Sequence, residues 1–383
     1  MANITIDVIE NGTTTLATSG KYCDRNIDIN VNVPSSGGGI EIDPIVLTGN
    51  QMYGGSSDVF KVFIETFPDK VSTRDIATIN YMFSNSKITT IPFDINMQDL
   101  SSKTTNHGDC SSVFRACPNL TALPKINYLK PQSLSYFLYQ AYMITEIPEG
   151  WTDNWDFSTL NTYAYANISN LIVACYSLRK VPKGFLKNFT TGGSTSSYNK
   201  VYQALVNLCY SLDEIEGIPV DPATITSNMM TSMCTGCGRI KRIVFETEDG
   251  TPKTAKWKGQ TINLLNNGVG YLSSANNKSY VLNYNSGITA DKEVEDDATY
   301  QALKNDPDWF TANKAYSRYN HDSAVETINS LPDTSAYLAS AGGTNTIKFD
   351  ATAGSLTDGG AINTLTEEEI AVAVNKGWTV SYA

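Results

Sequence analysis

Cys234 and Cys237, in the run CTGC, stand at the spacing of a zinc-ligand or redox pair. A structural zinc site needs a second pair, and no other cysteines stand at a suitable spacing. The two thiols are therefore expected to pack as core, and no metal or cofactor is expected. The chain has two histidines, His107 and His321, both in polar, loop-like sequence and both expected on the surface. Neither has neighbours that suggest a Ser/His/Asp or Cys/His arrangement, and no phosphate-cradling or dinucleotide fingerprint is present. Glycan hydrolysis would need two carboxylates about 5–10 Å apart, and among 39 acidic residues no pair stands out. Aromatic rings among polar residues offer a different chemistry. Trp151, Trp155, Tyr163 and Tyr165, in GWTDNWDFSTLNTYAYANIS, suit sugar stacking with adaptable hydrogen bonding. The competing reading is that these rings fill core, because aromatics usually bury. KNFTTGGSTSSYNK, residues 187–200, is a second candidate loop.

Composition narrows the partners. The net charge is −11, the pI about 4.7, and only 17% of residues are charged. Binding a phosphate backbone needs clustered Lys and Arg, and an anionic membrane surface would repel this chain. No nucleic acid and no membrane insertion are expected. MANITIDVIENG has neither a basic segment nor an apolar run. The seven cysteines are then expected to be thiols of a protein folded in a reducing cytoplasm.

What must position all these residues is a repeat. With Ile88, Leu120, Ile144, Leu178, Leu212 and Ile240 as position zero, the residues three further on are Ile91, Leu123, Ile147, Val181, Ile215 and Ile243. Six before stand Met82, Phe114, Leu138, Ile172, Val206 and Cys234; seven before, Tyr81, Val113, Phe137, Leu171, Leu205 and Met233. The column three before zero reads Asn85, Cys117, Ala141, Cys175, Cys209 and Cys237, small or amide side chains suited to a tight interior turn. Proline ends the first four units, as Pro92, Pro124, Pro148 and Pro182. The expected unit is a short helix, a turn at the cysteine column and a short strand. No unit can bury its apolar face alone, so the units must stack. Two past zero, Glu146, Lys180, Glu214 and Arg242 alternate in sign and should lie side by side along one ladder.

FRACPNLTALP, IVACYSLRKVP and VNLCYSLDEI together resemble the BspA-type leucine-rich repeat, over residues 76–246. The resemblance implies an α+β fold: a leucine-rich-repeat-like solenoid of short helix–strand units with Cys117, Cys175, Cys209, Cys237, Leu120, Leu178 and Leu212 in its core. The solenoid is assigned to 76–249, with an N-terminal cap over 40–75. A small β module over 1–34, with alternation at Ile4, Ile6 and Val8 and again at Ile27, Ile29, Val31 and Val33, is joined through the linker 35–39. Residues 250–318 read as an insertion or subdomain, with a hairpin in YLSSANNKSYVLNYNSG and a helix in DDATYQALKND. Residues 319–383 read as a C-terminal repeat and α/β cap. There Ser323 with Glu326, and Thr366 with Glu369, look like capping boxes, Gly377 like a left-handed stop, and NTIKFD and WTVSYA like strands. LPDTS, Leu331 to Ser335, is similar to a sortase anchor signal but lacks the apolar span and basic tail that must follow one.

The opening segment is similar to the attachment module on structural proteins of tailed phages of gut bacteria, and the closing segments to phage-encoded BspA-type proteins. Together they imply a non-enzymatic virion protein on a tail fibre, baseplate or other surface appendage. It would dock on other virion proteins through the N-terminal β module, as a homotrimer or a docked monomer, and bind a bacterial surface glycan or protein. The alternatives are a bacterial BspA-type surface adhesin and a virion-borne glycan depolymerase.

Overall fold

The computed structural model describes residues 7–10, 13–16, 45–46, 71–72, 76, 78–160, 168–189, 202, 205–209, 211–230, 233–237, 240–264, 319–349 and 364–382. The chain divides into two compact units, Met1–Asp43 and Pro44–Ala383. In the first, Asp7–Glu10 and Thr13–Leu16 pair antiparallel, with Glu10 opposite Thr13 on either side of Asn11-Gly12. The strand expected over Ile27 to Val33 lies outside the described residues.

The second unit is a β-solenoid of about six turns. Its repeat differs from the expected helix–strand unit. The stretch seven to four before zero forms a rung of parallel sheet, and its backbone bonds run to the next coil. The N–H six before zero donates to the carbonyl seven before zero of the following unit: Phe114 to Phe137, Leu138 to Leu171, Ile172 to Leu205 and Val206 to Met233. The N–H four before zero does the same one step on: Ala116 to Tyr139, Gln140 to Val173, Ala174 to Asn207 and Leu208 to Thr235, all eight bonds within 3.1 Å. These groups are spent between coils, so a helix has none left to close its own turns.

Left-handed residues mark the corners of the rungs. Ser112, Tyr136 and Asn170 lie eight before zero, and Ala116, Gln140, Ala174, Leu208 and Gly236 four before, with φ between +53° and +77°. They bend the chain sharply enough for a two-residue strand to fit between two corners. The apolar pattern that suggested a helical face is the interior lining of this bend. All six residues at position zero are fully buried, as are Cys117, Cys175, Cys209 and Cys237. Truncating such a residue, Leu178 for instance, costs roughly 2–5 kcal/mol.

The first coil corrects one alignment. Phe83 donates to Val113 and Asn85 to Arg115, one residue later than the other units, and Cys117 Sγ bonds the Phe83 carbonyl. Ser86, buried, therefore fills the cysteine column, while Asn85 is exposed at a left-handed corner with φ +61°.

Two past zero runs the second ladder. Glu146 bridges Lys180, which pairs with Glu214, which pairs with Arg242. The file of alternating charge is in register, but its strongest ion pairs are made by the next outward residue. Glu216 takes Lys180 Nζ at 2.7 Å and Arg242 at 3.4 Å, and Arg242 also pairs with Glu326 at 2.6 Å. A third ladder joins Ile95–Asn96 to Ile126–Asn127, where Asn127 donates to Asn96 Oδ1 at 2.8 Å.

The stack continues past residue 249. Thr224–Ile225 pairs with Lys256–Trp257, and Thr261–Asn263, Asn345–Phe349 and Trp378–Tyr382 form a parallel sheet. Ala255, Trp257, Ile262 and Leu264 are buried, so the start of the segment read as an insertion belongs to the core. The hairpin and helix expected within 265–318 lie outside the described residues. Helices α1 (His321–Ser330), α2 (Ser335–Ala341) and α3 (Glu367–Asn375) accompany these last strands. Thr366 and Glu369 do form a capping box on α3, and Gly377 follows it at φ +82°. On α1 the cap is Asn320, and Ser323 is the third helical residue of that box rather than its start.

Candidate ligand-binding surface

Trp151, Trp155, Cys234, Cys237 and His107, all singled out for their chemistry, are drawn into the core. Trp151 and Trp155 are 5% and 3% exposed, and their indole N–H groups donate to the carbonyls of Pro124 and Ile126 at 2.7 and 2.8 Å. Neither ring presents a face to a ligand, which overturns the expectation for this pair. They belong to a file of packed rings from Phe83 through Phe114, Phe137, Trp155, Phe157, Phe189 and Tyr202 to Trp257, with successive centroids 5.5–6.1 Å apart. Tyr163 and Tyr165 lie outside the described residues, as does most of the second candidate loop.

Sequence carried a signal for this burial. Pro148-Glu149-Gly150-Trp151 with Trp155 repeats as Pro182-Lys183-Gly184-Phe185 with Phe189, and both glycines have positive φ. The tryptophans thus hold the places of two core phenylalanines one coil later.

The CTGC pair is explained by the corner. Gly236 takes the left-handed position and Cys237 the interior file, with Cys234 on the rung before it; along the file Cys209 meets Cys175 on one side and Cys237 on the other. Burial pushes the Cys117 thiol up to about 12 and those of Cys110, Cys209, Cys234 and Cys237 upward as well. A thiolate, the form that attacks or binds metal, is disfavoured there. Among the described residues no group of three or more His, Cys, Asp or Glu could hold a metal ion, and no helix is long and apolar enough to cross a membrane.

His107 corrects the surface expectation. It is 3% exposed, its Nδ1 accepts from Lys130 N at 2.9 Å, and its Nε2 lies 2.9 Å from the Gln98 carbonyl, which fixes the proton on Nε2. Burial lowers its pKa, so it stays neutral. Beside it Lys130 is buried, with Nζ donating to the Lys103 carbonyl at 2.9 Å and pairing with Asp156 at 3.0 Å. His321 opens α1 and meets Glu369 of the α3 cap at 3.1 Å. The LPDTS stretch is structural. Leu331 and Thr334 are fully buried, and the Pro332 carbonyl accepts Trp378 Nε1–H at 2.9 Å.

What remains on the outside is a face that sequence reasoning did not single out. Tyr136 is 41% exposed and meets Tyr139 edge-on at 5.5 Å, and the Arg115 guanidinium lies 5.6 Å over the Tyr139 ring. Tyr81 occupies the same left-handed column as Tyr136, with Ser112 between them. Ser112, Tyr136 and Asn170 recur eight before zero in the sequence, but Tyr81 joins that column only once the first coil is shifted by one residue. The column was unreadable while the first coil stood one residue out of register.

Comparison with protein-family models, with curated proteins and with solved structures finds no match.

Proposed function

We propose that this chain is a non-enzymatic structural protein of a bacteriophage particle that attaches the virion to a bacterial surface, built on a BspA-type leucine-rich repeat. The observation that carries the attachment reading is the contrast between interior and exterior. Among the described residues the thiols, the tryptophans and His107 are locked in the stack, while Tyr128 and Tyr136 are held outward at left-handed positions beside the parallel ladders. Repeat stacks of this kind serve as extended binding faces, and aromatic rings with a polar rim are the side chains of adaptable recognition. The phage assignment rests on the resemblance of the first and last segments. In this reading the N-terminal β unit docks on other virion proteins, with the chain as trimer or docked monomer, and the solenoid meets a glycan or protein of the host.

The test has two arms. Purified virions from an induced host should contain the polypeptide by mass spectrometry, and the isolated protein should adhere to intact cells of that host. Virions without it refute the phage assignment; a protein that adheres to no host cell refutes attachment.

A further inference from the structure

We infer that Cys209 is the centre of a redox-sensitive crosslinking site inside the solenoid, where a disulfide joins its coil to the coil of Cys237 or, in its place, to the coil of Cys175. This goes beyond the attachment reading and does not depend on it.

The placement follows from the backbone on either side of the thiols. One residue before the cysteine column, Ala174 N–H donates to the Asn207 carbonyl and Leu208 N–H to the Thr235 carbonyl. Four residues after it, Asp213 N–H donates to the Arg179 carbonyl and Lys241 N–H to the Asp213 carbonyl. Between these clamps the three coils make the same turn, with Leu178, Leu212 and Ile240 N–H donating to the carbonyls of Cys175, Cys209 and Cys237 at 3.1–3.2 Å. The three cysteines therefore stand in register on successive coils, about 4.8 Å from one to the next. A disulfide joins Cα atoms about 4.4–6.8 Å apart, so it spans one coil interface but not the roughly 10 Å of two.

The side chains select the pairing. Cys237 Sγ leans back over the coil of Cys209, 3.7 Å from the Val206 carbonyl, whereas Cys175 Sγ leans away from it, 3.5 Å from the Leu138 carbonyl. Cys237 is thus the preferred partner, and Cys175 keeps its thiol. In the same column Ser86 and Ala141 flank Cys117, so that thiol has no other beside it there. A low-molecular-weight disulfide such as oxidised glutathione is the oxidant. One cysteine sulfur attacks it and releases one glutathione; the second cysteine sulfur then displaces the other. Two protein thiols lose two electrons, their protons end on the two glutathione thiols, and one sulfur–sulfur bond replaces another. All three cysteines are fully buried, so the exchange takes place while the coils are parted. The bond needs Cβ atoms about 3.5–4.5 Å apart, closer than the ladder spacing, and that strain keeps it easy to reduce.

The experiment refolds the full chain from concentrated urea in a buffer of reduced and oxidised glutathione, blocks the remaining thiols, and maps the crosslinked peptides by mass spectrometry without reduction. The refolded chain should carry Cys209–Cys237 as its main bond in this file, with Cys175 and Cys117 blocked as thiols. The same oxidation in urea should instead favour Cys234–Cys237, the pair nearest in sequence. Cys237→Ala should move the bond to Cys175–Cys209, and Cys175→Ala should leave Cys209–Cys237 in place. Cys209→Ala should lower crosslinks within the file about tenfold or more, because the two cysteines it leaves are two coils apart. Cys175–Cys209 as the main wild-type bond keeps the site and reverses the preferred partner. Three blocked thiols in the refolded wild type, a Cys175–Cys237 bond, or a refolded chain in which Cys234–Cys237 still dominates overturns the site.

Discussion

At Gly236 a Cβ would lie 2.8 Å from Leu208 Cδ2 and 3.4 Å from Leu208 Cα, at a φ of +77°. Gly236→Ala therefore combines left-handed strain with a clash against the neighbouring coil and should destabilise the fold by about 1–3 kcal/mol in urea melts. Ala174→Gly, at the same column, should be neutral or stabilising, because it removes a Cβ from the unfavourable region. The thiol file makes a second prediction. The buried thiols of Cys110, Cys117, Cys209, Cys234 and Cys237 ionise above their unfolded value of 9, that of Cys117 only at about 12. Between those values the unfolded chain has shed protons that the fold retains, so their contribution to stability is complete below pH 9 and declines as pH rises toward 12. Urea midpoints should fall from pH 8 to pH 10.5, and less steeply in Cys209→Ala. At this scale the sequence was legible where a column needs one chemical property, as at Leu120, Leu178 and Leu212. It was opaque where the property is a backbone angle. Ala116, Gln140 and Leu208 are good helix formers, and nothing in them announces a left-handed corner.

Elements tell a related story. The strand over Asn345–Phe349, the strand over Trp378–Tyr382 and the α3 cap were readable because each is set by local pattern. The start of α1 was misread because Ser323-x-x-Glu326 imitates a capping box. In the fold Ser323 Oγ donates to the Lys241 carbonyl, and Glu326 is taken by Arg242 across the solenoid. Long-range partners of this kind leave no trace in a four-residue window. Just past α3, Lys376 Nζ donates to the Ile328 and Asn329 carbonyls at the end of α1, at 2.9 and 2.6 Å. Burial pulls its pKa down to about 8, against a partial restoring pull from Asp333. With the folded value below the unfolded 10.5, the unfolded chain binds the proton more tightly in between. The contribution of Lys376 is complete above pH 10.5 and is lost as pH falls through 8. The stability of wild type relative to Lys376→Met should therefore rise with pH across that window, as followed by chemical denaturation of both proteins.

For the solenoid as a whole, stability is a sum over coils and the interfaces between them. Leu171 and Leu205 hold equivalent places 34 residues apart, so deleting residues 172–205 brings Val206 beside Leu138 with every column preserved. That shortened chain should fold with a lower urea m-value, whereas a deletion of half that length should not fold. The same excision removes Lys180 and sets Glu146 next to Glu214, so Glu146→Lys should recover part of the lost stability. Sequence revealed the recurring columns of this stack but not the paths of its longer returns, because those depend on which coil a segment reaches rather than on its own composition. The rungs described above also have a mechanical meaning. Their hydrogen bonds point from coil to coil, so a pull along that direction strains one interface after another instead of all at once. A stack of this design yields in steps, each paying out about 120 Å of chain for a 34-residue coil, and each step absorbs a jolt that a rigid rod would transmit whole.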